Sequence, residues 1–449
     1  MKKLLFALLS ILVIAGLVIG GCDGTAEPTN GDGNGDGNGG EPPPQVLKIG
    51  NLLTLSQFTG YEVQKWFDVF VEEINNDGGW LIGGERYLIE YTAYDCGFYD
   101  PAKTRTAVEK AVLDDGVKFL INNSGDIAEV TLTVTEPNGV LTFGGGLSDA
   151  VLDPSVQYTW RCPGVFFGAG LMYVQYNDMV ARGAETAITV KDDTDLGQFG
   201  AFLCQTDMMM AGLEVLPAVF FAPDTTDFGP IATKIVSYDP DLVDLNFCAY
   251  NVQVAQALND IGYEGFVITS EMTPATLNDL ITRVGAEYIE GWESTYFDPR
   301  GTATDPRILA LIDAYTEKYG EFVPDGTFYA GGWFVFEDAV NATQSLDLEV
   351  LKAYLDNSPP PVQTLCGYMQ LFARPDLGNY RTVDSAAGHW IGIVEDGELV
   401  PRDVVSVKDQ YLISIATYGL ADLYRAYWDE YGYPTFPDEP SKFDFDNLP

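Results

Sequence analysis

The chain has 449 residues, of which 46% are hydrophobic, and its formal net charge at pH 7 is −42. This hydrophobic fraction excludes an intrinsically disordered acidic protein, and the length allows two or three domains of ordinary size. So acidic a chain is repelled by nucleic acid and by anionic lipid surfaces, which argues against both as partners.

The first 22 residues have the pattern of a secretory signal. Two lysines are followed by an almost wholly apolar run from Leu4 to Ile19, and two glycines then lead to Cys22. This order is typical of an export signal, and its end resembles a lipoprotein cleavage box. We therefore predict that residues 1–21 are a signal peptide and that Cys22 becomes the lipidated first residue. The alternative is an uncleaved membrane anchor. In either case the rest of the chain is exported and tethered.

Residues 22–45 consist mainly of Gly, Asp, Asn and Pro without an apolar pattern, which predicts a flexible tether. Within it, Asp32–Gly37 resembles the first half of a calcium-binding EF-hand loop. Pro43 stands at the loop position where such a site needs an acidic ligand. We therefore interpret the segment as a solvated linker, with calcium binding as the alternative.

Cysteine and histidine usage limits the possible chemistry. Five cysteines follow Cys22, so at least one thiol is unpaired, and none of them forms a CxxC pair. His389 is the only histidine, whereas zinc sites and Ser-His-Asp or Cys-His catalysis need more imidazole. We predict no metal, no cofactor and no enzymatic activity, and we interpret His389 as a residue at the end of a strand.

From Val46 onward, short apolar strands alternate with amphipathic helices, which predicts a parallel sheet covered by helices on both faces. In the first part of the chain we predict strands at Val46–Leu53, Tyr87–Tyr94, Lys118–Asn122 and Gly139–Phe143, and helices at Tyr61–Asn75, Ala102–Asp114 and Asp126–Glu136.

The pattern then restarts, which predicts a second α/β unit. Its predicted strands are Glu185–Val190, Glu214–Phe221, Leu242–Cys248 and Gly265–Thr269, and its predicted helices are Gly197–Ala211, Phe228–Ser237 and Val252–Ile261. Further along we predict helices at Pro306–Tyr319 and Phe328–Ser345, a hairpin over Trp390–Val400 that turns at Asp396-Gly397, and a helical stripe over Asp409–Trp428.

Several short phrases stand in a characteristic order: Ile49–Ser56, Asn75–Gly79, Asp95-Cys96 with Asp100-Pro101, Asp115–Lys118, Arg161–Pro163 and Asp227-Phe228. Together they resemble the type I periplasmic binding proteins, specifically the branched-chain amino-acid (Leu/Ile/Val) receptor group of ABC importers. The resemblance covers roughly Val46 to Val400. It implies an α/β fold with two Rossmann-like lobes joined by a hinge.

The resemblance also implies a division of the chain. Lobe 1 would contain residues 46–165 and about 295–385, and lobe 2 would contain about 166–294 and 386–405. Residues 406–449 would form a helical and aromatic C-terminal extension.

In this family the carboxylate of the ligand is held beyond strand ends, where helix amino termini present unpaired N–H groups. The resemblance assigns this role to Ser124 and Gly125 after the third predicted strand, and to Gly146 and Ser148 after the fourth. The alternatives are purely structural, because a serine there can cap the following helix and glycines can make a tight turn.

The ammonium partner of an amino acid would be Glu271, which follows the strand Gly265–Thr269, with Tyr250 as a binding aromatic. A surface carboxylate is the alternative for Glu271. The bulky side chains that could line the cleft are Phe58, Tyr61, Tyr296 and Trp333; each of them could instead be a core or surface residue. Leu196 replaces an aromatic of the family, and Cys96 has no cysteine near Asn123 to pair with, so the pocket is predicted to suit a ligand other than leucine.

These features predict a lipid-anchored receptor in the periplasm or at the cell surface. It would bind an amino acid or a similar small polar ligand and deliver it to an ABC permease. The alternatives are a receptor for an amide or an aromatic acid, a sensor domain, and an extracytoplasmic enzyme using a pair such as Asp126 with Glu271.

Overall fold

The computed structural model describes residues 43–436, apart from 57, 99, 122–125, 145–147, 164–171, 249 and 271 and the side chains of 58, 59, 195 and 196. Two large sheets carry most of the strands, and a smaller sheet has three antiparallel strands. Helices separate most of the parallel strands along the chain. The predicted fold class, α/β with two Rossmann-like units, is confirmed.

The first sheet contains β1 (Gln45–Leu53), β2 (Trp80–Ile82), β3 (Glu85–Asp95), β4 (Phe119–Ile121), β5 (Leu141–Phe143) and β6 (Thr159–Trp160). Its order is β2-β3-β1-β4-β5-β6, and among these pairs only β2–β3 is antiparallel. Parallel strands covered on both faces need nearly continuous apolar runs. Accordingly, Ile49, Leu52 and Leu53 in β1 are fully buried.

The later strands are β7 (Thr186–Asp192), β8 (Glu214–Val215), β9 (Val219–Phe221), β10 (Leu242–Leu245), β11 (Phe266–Thr269), β12 (Glu293–Tyr296), β13 (Val362–Thr364), β14 (Gly367–Arg374), β15 (Asn379–Ala387), β16 (His389–Glu395) and β17 (Glu398–Val405). The second sheet has the order β17-β16-β12-β11-β10-β7-β8, with β9 also paired to β7, and β13-β14-β15 form the third sheet.

Three predictions about strands have clear outcomes. The predicted hairpin is confirmed as β16–β17, and Asp396 and Gly397 form its turn with φ of 52° and 80°. His389 begins β16, as interpreted from the sequence. The single strand predicted over Glu214–Phe221 is wrong: Pro217 lies between β8 and β9, and proline cannot donate a ladder hydrogen bond.

The helices are α1 (Phe58–Asn76), α2 (Pro101–Glu109), α3 (Ala128–Thr135), α4 (Tyr173–Ala181), α5 (Asp195–Met210), α6 (Gly229–Val236), α7 (Asn251–Asp260), α8 (Pro274–Val284), α9 (Ala286–Ile289), α10 (Pro306–Tyr319), α11 (Gly331–Thr343), α12 (Leu348–Leu355), α13 (Val407–Thr417) and α14 (Ala421–Tyr431). The helix predicted over Ala102–Asp114 is α2 followed by a π turn at Lys110–Asp114. Over the residues described, no helix is both long enough and apolar enough to cross a bilayer.

The predicted helical stripe over Asp409–Trp428 is two helices rather than one. Gly419 interrupts it with a left-handed φ of 65°, and its N–H donates to the Ala416 carbonyl. This conformation ends a helix at little cost only when the residue is glycine. The ring of Tyr411 in α13 then stacks on Phe372 of the third sheet, with ring centroids 4.0 Å apart.

The core beside the first sheet is rich in aromatic side chains from α1 and α11. Trp66, Phe67 and Phe70 lie on one face of α1 at helical spacing and are fully buried. Trp333 of α11 is also fully buried, and its ring stacks on Phe70 with centroids 5.4 Å apart. Of the two roles left open for Trp333, the structure shows the core role, because its helix turns that position into the core.

A buried ion network joins the third sheet to the first. Arg161, just after β6, donates from Nε and Nη2 to the Asp384 carboxylate of β15 over 2.8 and 2.6 Å. Arg374 donates to the same carboxylate over 2.9 Å. The backbones of Arg161 and Asp384 also form a parallel bridge. The third sheet is thereby joined to the first sheet next to β6.

Candidate ligand-binding site

The sequence predicts a site at the carboxyl ends of the parallel strands, which is where open α/β sheets bind ligands. Polar side chains do follow these strand ends in both sheets. Thr54 follows β1 and Cys96 follows β3, whereas Asn246 follows β10 and Ser270 follows β11. In each sheet these residues lie at the carboxyl edge, which is the side where the parallel strands end.

At the edge of the first sheet, a hydroxyl and a backbone amide hold the ends of β1 and β3 together. Thr54 Oγ1 donates to the Gly97 carbonyl over 2.8 Å, and the Cys96 N–H donates to the Leu53 carbonyl over 2.9 Å. Burial, together with the charge of Asp126, raises the pKa of the Cys96 thiol to about 12. Cys96 is therefore a neutral thiol at physiological pH, and it forms no disulfide bond with any described cysteine.

Asp126 lies just before α3 and is largely buried, with 7% of its surface exposed. Its Oδ2 accepts a hydrogen bond from Thr131 Oγ1 over 2.6 Å. The carboxylate therefore supports the first turn of α3, and this contact gives it a structural role. Ser124 and Gly125, the predicted ligand residues directly before it, lie outside the described residues.

Ser148 shows the capping geometry that was the alternative to ligand contact. Its Oγ donates to the Glu129 carboxylate of α3 over 2.7 Å and accepts from the Ala150 N–H over 3.2 Å, so it caps the short helix Asp149–Leu152. These bonds bring the segments after β4 and β5 together. Gly146, the second predicted residue of this loop, lies outside the described residues.

Two glycines that the sequence interpretation missed bring helix amino ends to the strand ends. A Cβ at Gly60 in α1 would overlap the Thr54 carbonyl, and a Cβ at Gly197 in α5 would overlap the Asp192 carbonyl. Each first helical turn can therefore pack directly on the end of the preceding strand only because the residue is glycine. A glycine in the first turn after a strand was the available sequence clue. Phe58 begins α1, but its side chain is not among those described.

At the edge of the second sheet, Phe247 adopts a left-handed φ of 54°, which is rare for a bulky residue. Its N–H donates to Ser270 Oγ over 2.9 Å. Beside it, Asn246 Nδ2 donates to Gln175 Oε1, and Gln175 Nε2 donates to the Thr269 carbonyl, both over 3.3 Å. The turn after β10 is thus tied to the end of β11, and no local sequence pattern indicated these bonds.

Tyr250 follows this turn and is already anchored by protein contacts. Its ring packs on Phe221 and Phe228, each with centroids 5.6 Å away, and its hydroxyl donates to the Pro223 carbonyl. The structure therefore places Tyr250 in an aromatic cluster beside the strand ends. Glu271, the predicted ammonium partner, lies outside the described residues.

The remaining predicted aromatics, Tyr296 and Tyr61, have different surroundings. Tyr296 ends β12, and its hydroxyl packs against Gly301. A Cβ added at Gly301 would be only 2.7 Å from this hydroxyl oxygen. Burial raises the pKa of Tyr296 to about 12, so its hydroxyl stays protonated and can act as a donor. Tyr61 is 50% exposed on α1, with the Lys65 ammonium 4.7 Å from its ring centroid, and is a surface residue.

Comparison with protein families gives a match over most of the chain. The sequence model of a family described as periplasmic binding protein matches residues 47–379, which include both edges described above. Comparison with curated proteins finds no significant match.

Solved structures share the fold at low sequence identity. A leucine-binding protein from Thermotoga maritima has a TM-score of 0.61 and 18% identity, and the match covers 80% of this chain and 99% of that one. A solute-binding protein of an R. palustris ABC transporter, in complex with benzoate, has a TM-score of 0.62 and 15% identity. That match covers 80% of this chain and 96% of the other. A branched-chain amino-acid transporter substrate-binding protein from Streptococcus pneumoniae, in complex with isoleucine, has a TM-score of 0.62 and 16% identity. That match covers 80% of this chain and 99% of the other.

Proposed function

This chain belongs to the periplasmic binding protein family, and from that membership we propose that it is the solute receptor of an ABC importer. It binds a small polar molecule outside the cytoplasm and delivers it unchanged to a membrane permease. The match of the family over residues 47–379 is the observation that carries this proposal.

The ligand that we propose is a small molecule with a carboxylate, and an amino acid in the first instance. Isoleucine and benzoate, the molecules bound in two of the similar structures, both contain a carboxylate. The close packing of the α1 and α5 amino ends on strand ends supports this chemistry, because the positive amino end of a helix dipole attracts an anion. The benzoate complex favours an aromatic acid as the second candidate.

We propose that residues 46–165 with about 295–385 form one lobe, and that about 166–294 with 386–405 form the other. The ligand bridges the lobes and stabilises their closed arrangement, because only differential affinity for one state shifts the population. Ser124, Gly125, Gly146 and Ser148 would hold the carboxylate in this scheme. Glu271 and Tyr250 would contact the amine side of the ligand, and Phe58 and Tyr296 would border the cleft.

Closure can be measured in solution with the mature protein. We expect one member of a panel of amino acids and aromatic acids to bind in calorimetry and to lower the radius of gyration in X-ray scattering. Ligands that do not bind should leave the scattering curve unchanged, which provides the control. A ligand that binds without any change in the curve would contradict the closing mechanism. A panel without any binder would contradict the proposed ligand classes.

Lipid attachment at Cys22 is a separate part of the proposal. Replacing Cys22 with serine should abolish labelling by a palmitate analogue in cells, because the acylated thiol is then missing. Cys366→Ser is the matched control, since this cysteine lies far along the mature chain at the end of the β13–β14 turn, and its labelling should equal that of the wild type. Persistent labelling of Cys22→Ser would rule out the lipoprotein assignment.

A further inference from the structure

A lysine and an aspartate are paired in the interior beside the second sheet. Lys191 of β7 and Asp244 of β10 both have fully buried side chains, and Lys191 Nζ lies 2.9 Å from Asp244 Oδ2. Thr189 joins them, since its Oγ1 accepts from Lys191 over 2.6 Å and donates to Asp244 over 2.6 Å. Burial by itself lowers the pKa of Lys191, but the Asp244 carboxylate together with Cys204 and Cys248 raises the pKa above its ordinary value, so the lysine is charged.

Stability does not explain this pair. Removing two charges from water costs about as much as their attraction returns, and apolar side chains of similar size often stabilise a protein equally well or better. A buried pair is better explained by a geometry that it imposes. The other hydrogen bonds of the Asp244 carboxylate indicate which geometry that is.

The second carboxylate oxygen of Asp244 holds the turn at the end of its own strand. Asp244 Oδ1 accepts from the Asn246 N–H over 3.1 Å and from the Tyr176 hydroxyl over 3.1 Å. Asn246 is the first residue after β10, and Phe247 follows it with its left-handed φ. The carboxylate thus stabilises a turn that bulky residues rarely adopt, while Lys191 and Thr189 hold the carboxylate in place.

The same turn reaches the neighbouring strand end, because the Phe247 N–H bonds to Ser270 and the Asn246 side chain reaches Thr269 through Gln175. Tyr250 lies four residues after Asn246, and Glu271 directly follows Ser270. We infer that the Lys191–Asp244 pair is a positioning pair that sets the carboxyl ends of β10 and β11, beside which Tyr250 lies, in the second-lobe half of the proposed ligand site. This inference rests on the proposed function.

Two double variants separate positioning from stability. Lys191→Met with Asp244→Leu removes the charges and the acceptor, whereas Lys191→Met with Asp244→Asn removes the charges but keeps an oxygen that can accept from Asn246. Hydrogen exchange is measured without ligand. In the Lys191→Met/Asp244→Leu variant the amides of Asn246 and Phe247 should exchange at least about tenfold faster, because losing roughly one hydrogen bond corresponds to a tenfold change. Exchange at Val243, inside β10, should stay unchanged. The Lys191→Met/Asp244→Asn variant should exchange at the same rates as the wild type.

Two single variants complete the design. Ser270→Ala removes only the acceptor for the Phe247 N–H, so it should speed exchange at that amide. This measurement remains possible if the Lys191→Met/Asp244→Leu variant does not fold. Tyr263→Phe is the matched control, because it removes a buried 3.0 Å hydrogen bond to the Pro240 carbonyl at the opposite edge of the same sheet. It should leave exchange at Asn246 and Phe247 unchanged.

Affinity is then measured by calorimetry against leucine, isoleucine and benzoate. The Lys191→Met/Asp244→Leu variant should bind these ligands at least about tenfold more weakly than the wild type. The Lys191→Met/Asp244→Asn variant should recover most of this loss. Unchanged exchange at Asn246 and Phe247, or faster exchange with unchanged affinity, would overturn the inference. If the wild type bound none of the three probes, the proposed ligand classes would fail, while the exchange data alone would still decide whether the pair holds the turn.

Discussion

Replacing Glu271 with glutamine is expected to weaken binding of the best amino-acid ligand by about thirty-fold to several thousand-fold. In the proposed site the carboxylate of Glu271 pairs with the ammonium of the ligand away from water, and truncating one member of such a pair usually costs about 2–5 kcal/mol. Glutamine keeps the shape and removes only the charge. Ligands without an amine should therefore bind the variant almost as well as the wild type.

Calorimetry on purified variants against an amino-acid panel measures this difference. Glu264→Gln is the matched control, since Glu264 is an exposed carboxylate shortly before β11 and its replacement should leave affinity unchanged. Ser124→Ala should cost less, about 1 kcal/mol, because backbone N–H groups would remain to hold the carboxylate. Equal affinity of Glu271→Gln and the wild type would exclude the ammonium contact and favour an amide or an aromatic acid as the ligand.

Replacing Asp384 with alanine should lower the free energy of unfolding by about 3–5 kcal/mol, the usual cost of breaking a buried pair by removing one partner. Asp384 is fully buried and receives hydrogen bonds from Arg161 and Arg374, which are only 2% and 3% exposed. Without the carboxylate, both guanidinium groups keep their burial and lose their shared charge partner. Arg374 retains its pair with Asp376 over 2.9 Å, whereas Arg161 retains only a 3.1 Å pair with the exposed Asp149, so the greater loss falls on Arg161.

Urea denaturation of the mature protein without ligand measures this change. Asp279→Ala is the control, because its ion pair with Arg283 on α8 is exposed, and such pairs contribute at most about 1 kcal/mol. A similar loss of stability in both variants would show that the buried network has no special role. The loss of stability in Asp384→Ala should also affect the C-terminal helices, because the Tyr424 hydroxyl of α14 donates to Asp376, the partner of Arg374, over 2.7 Å.

Local chemistry explains the elements that could be predicted from the sequence. The helix predicted at Pro306–Tyr319 is α10 to the residue. Asp305 caps its amino end, Pro306 fits the first helical position, and Gly320 ends it with a φ of 82°. All of these preferences act within a few residues. The same is true of the Asp396-Gly397 turn between β16 and β17.

Local patterns could not choose between roles where a residue suits two of them. Ser148 follows a strand in a position that suits both a ligand contact and a helix cap, and its described contacts are those of a cap. Trp333 has the bulk of a cleft residue, but the direction of α11 turns it into the core against Phe70. The choice between roles depends on what packs against the side chain, and distant residues supply that packing.

The sequence by itself determined the α/β class, the order of most strands and helices, and the strand ends where polar residues would gather. These features follow from hydrophobic periodicity and from short-range capping, which every segment carries within itself. Only the tertiary structure decided that Lys191 meets Asp244 across 53 positions and that Arg161 meets Asp384 across 223. Such pairs form because the fold removes both partners from water at the same place, and no property of either segment alone specifies the other.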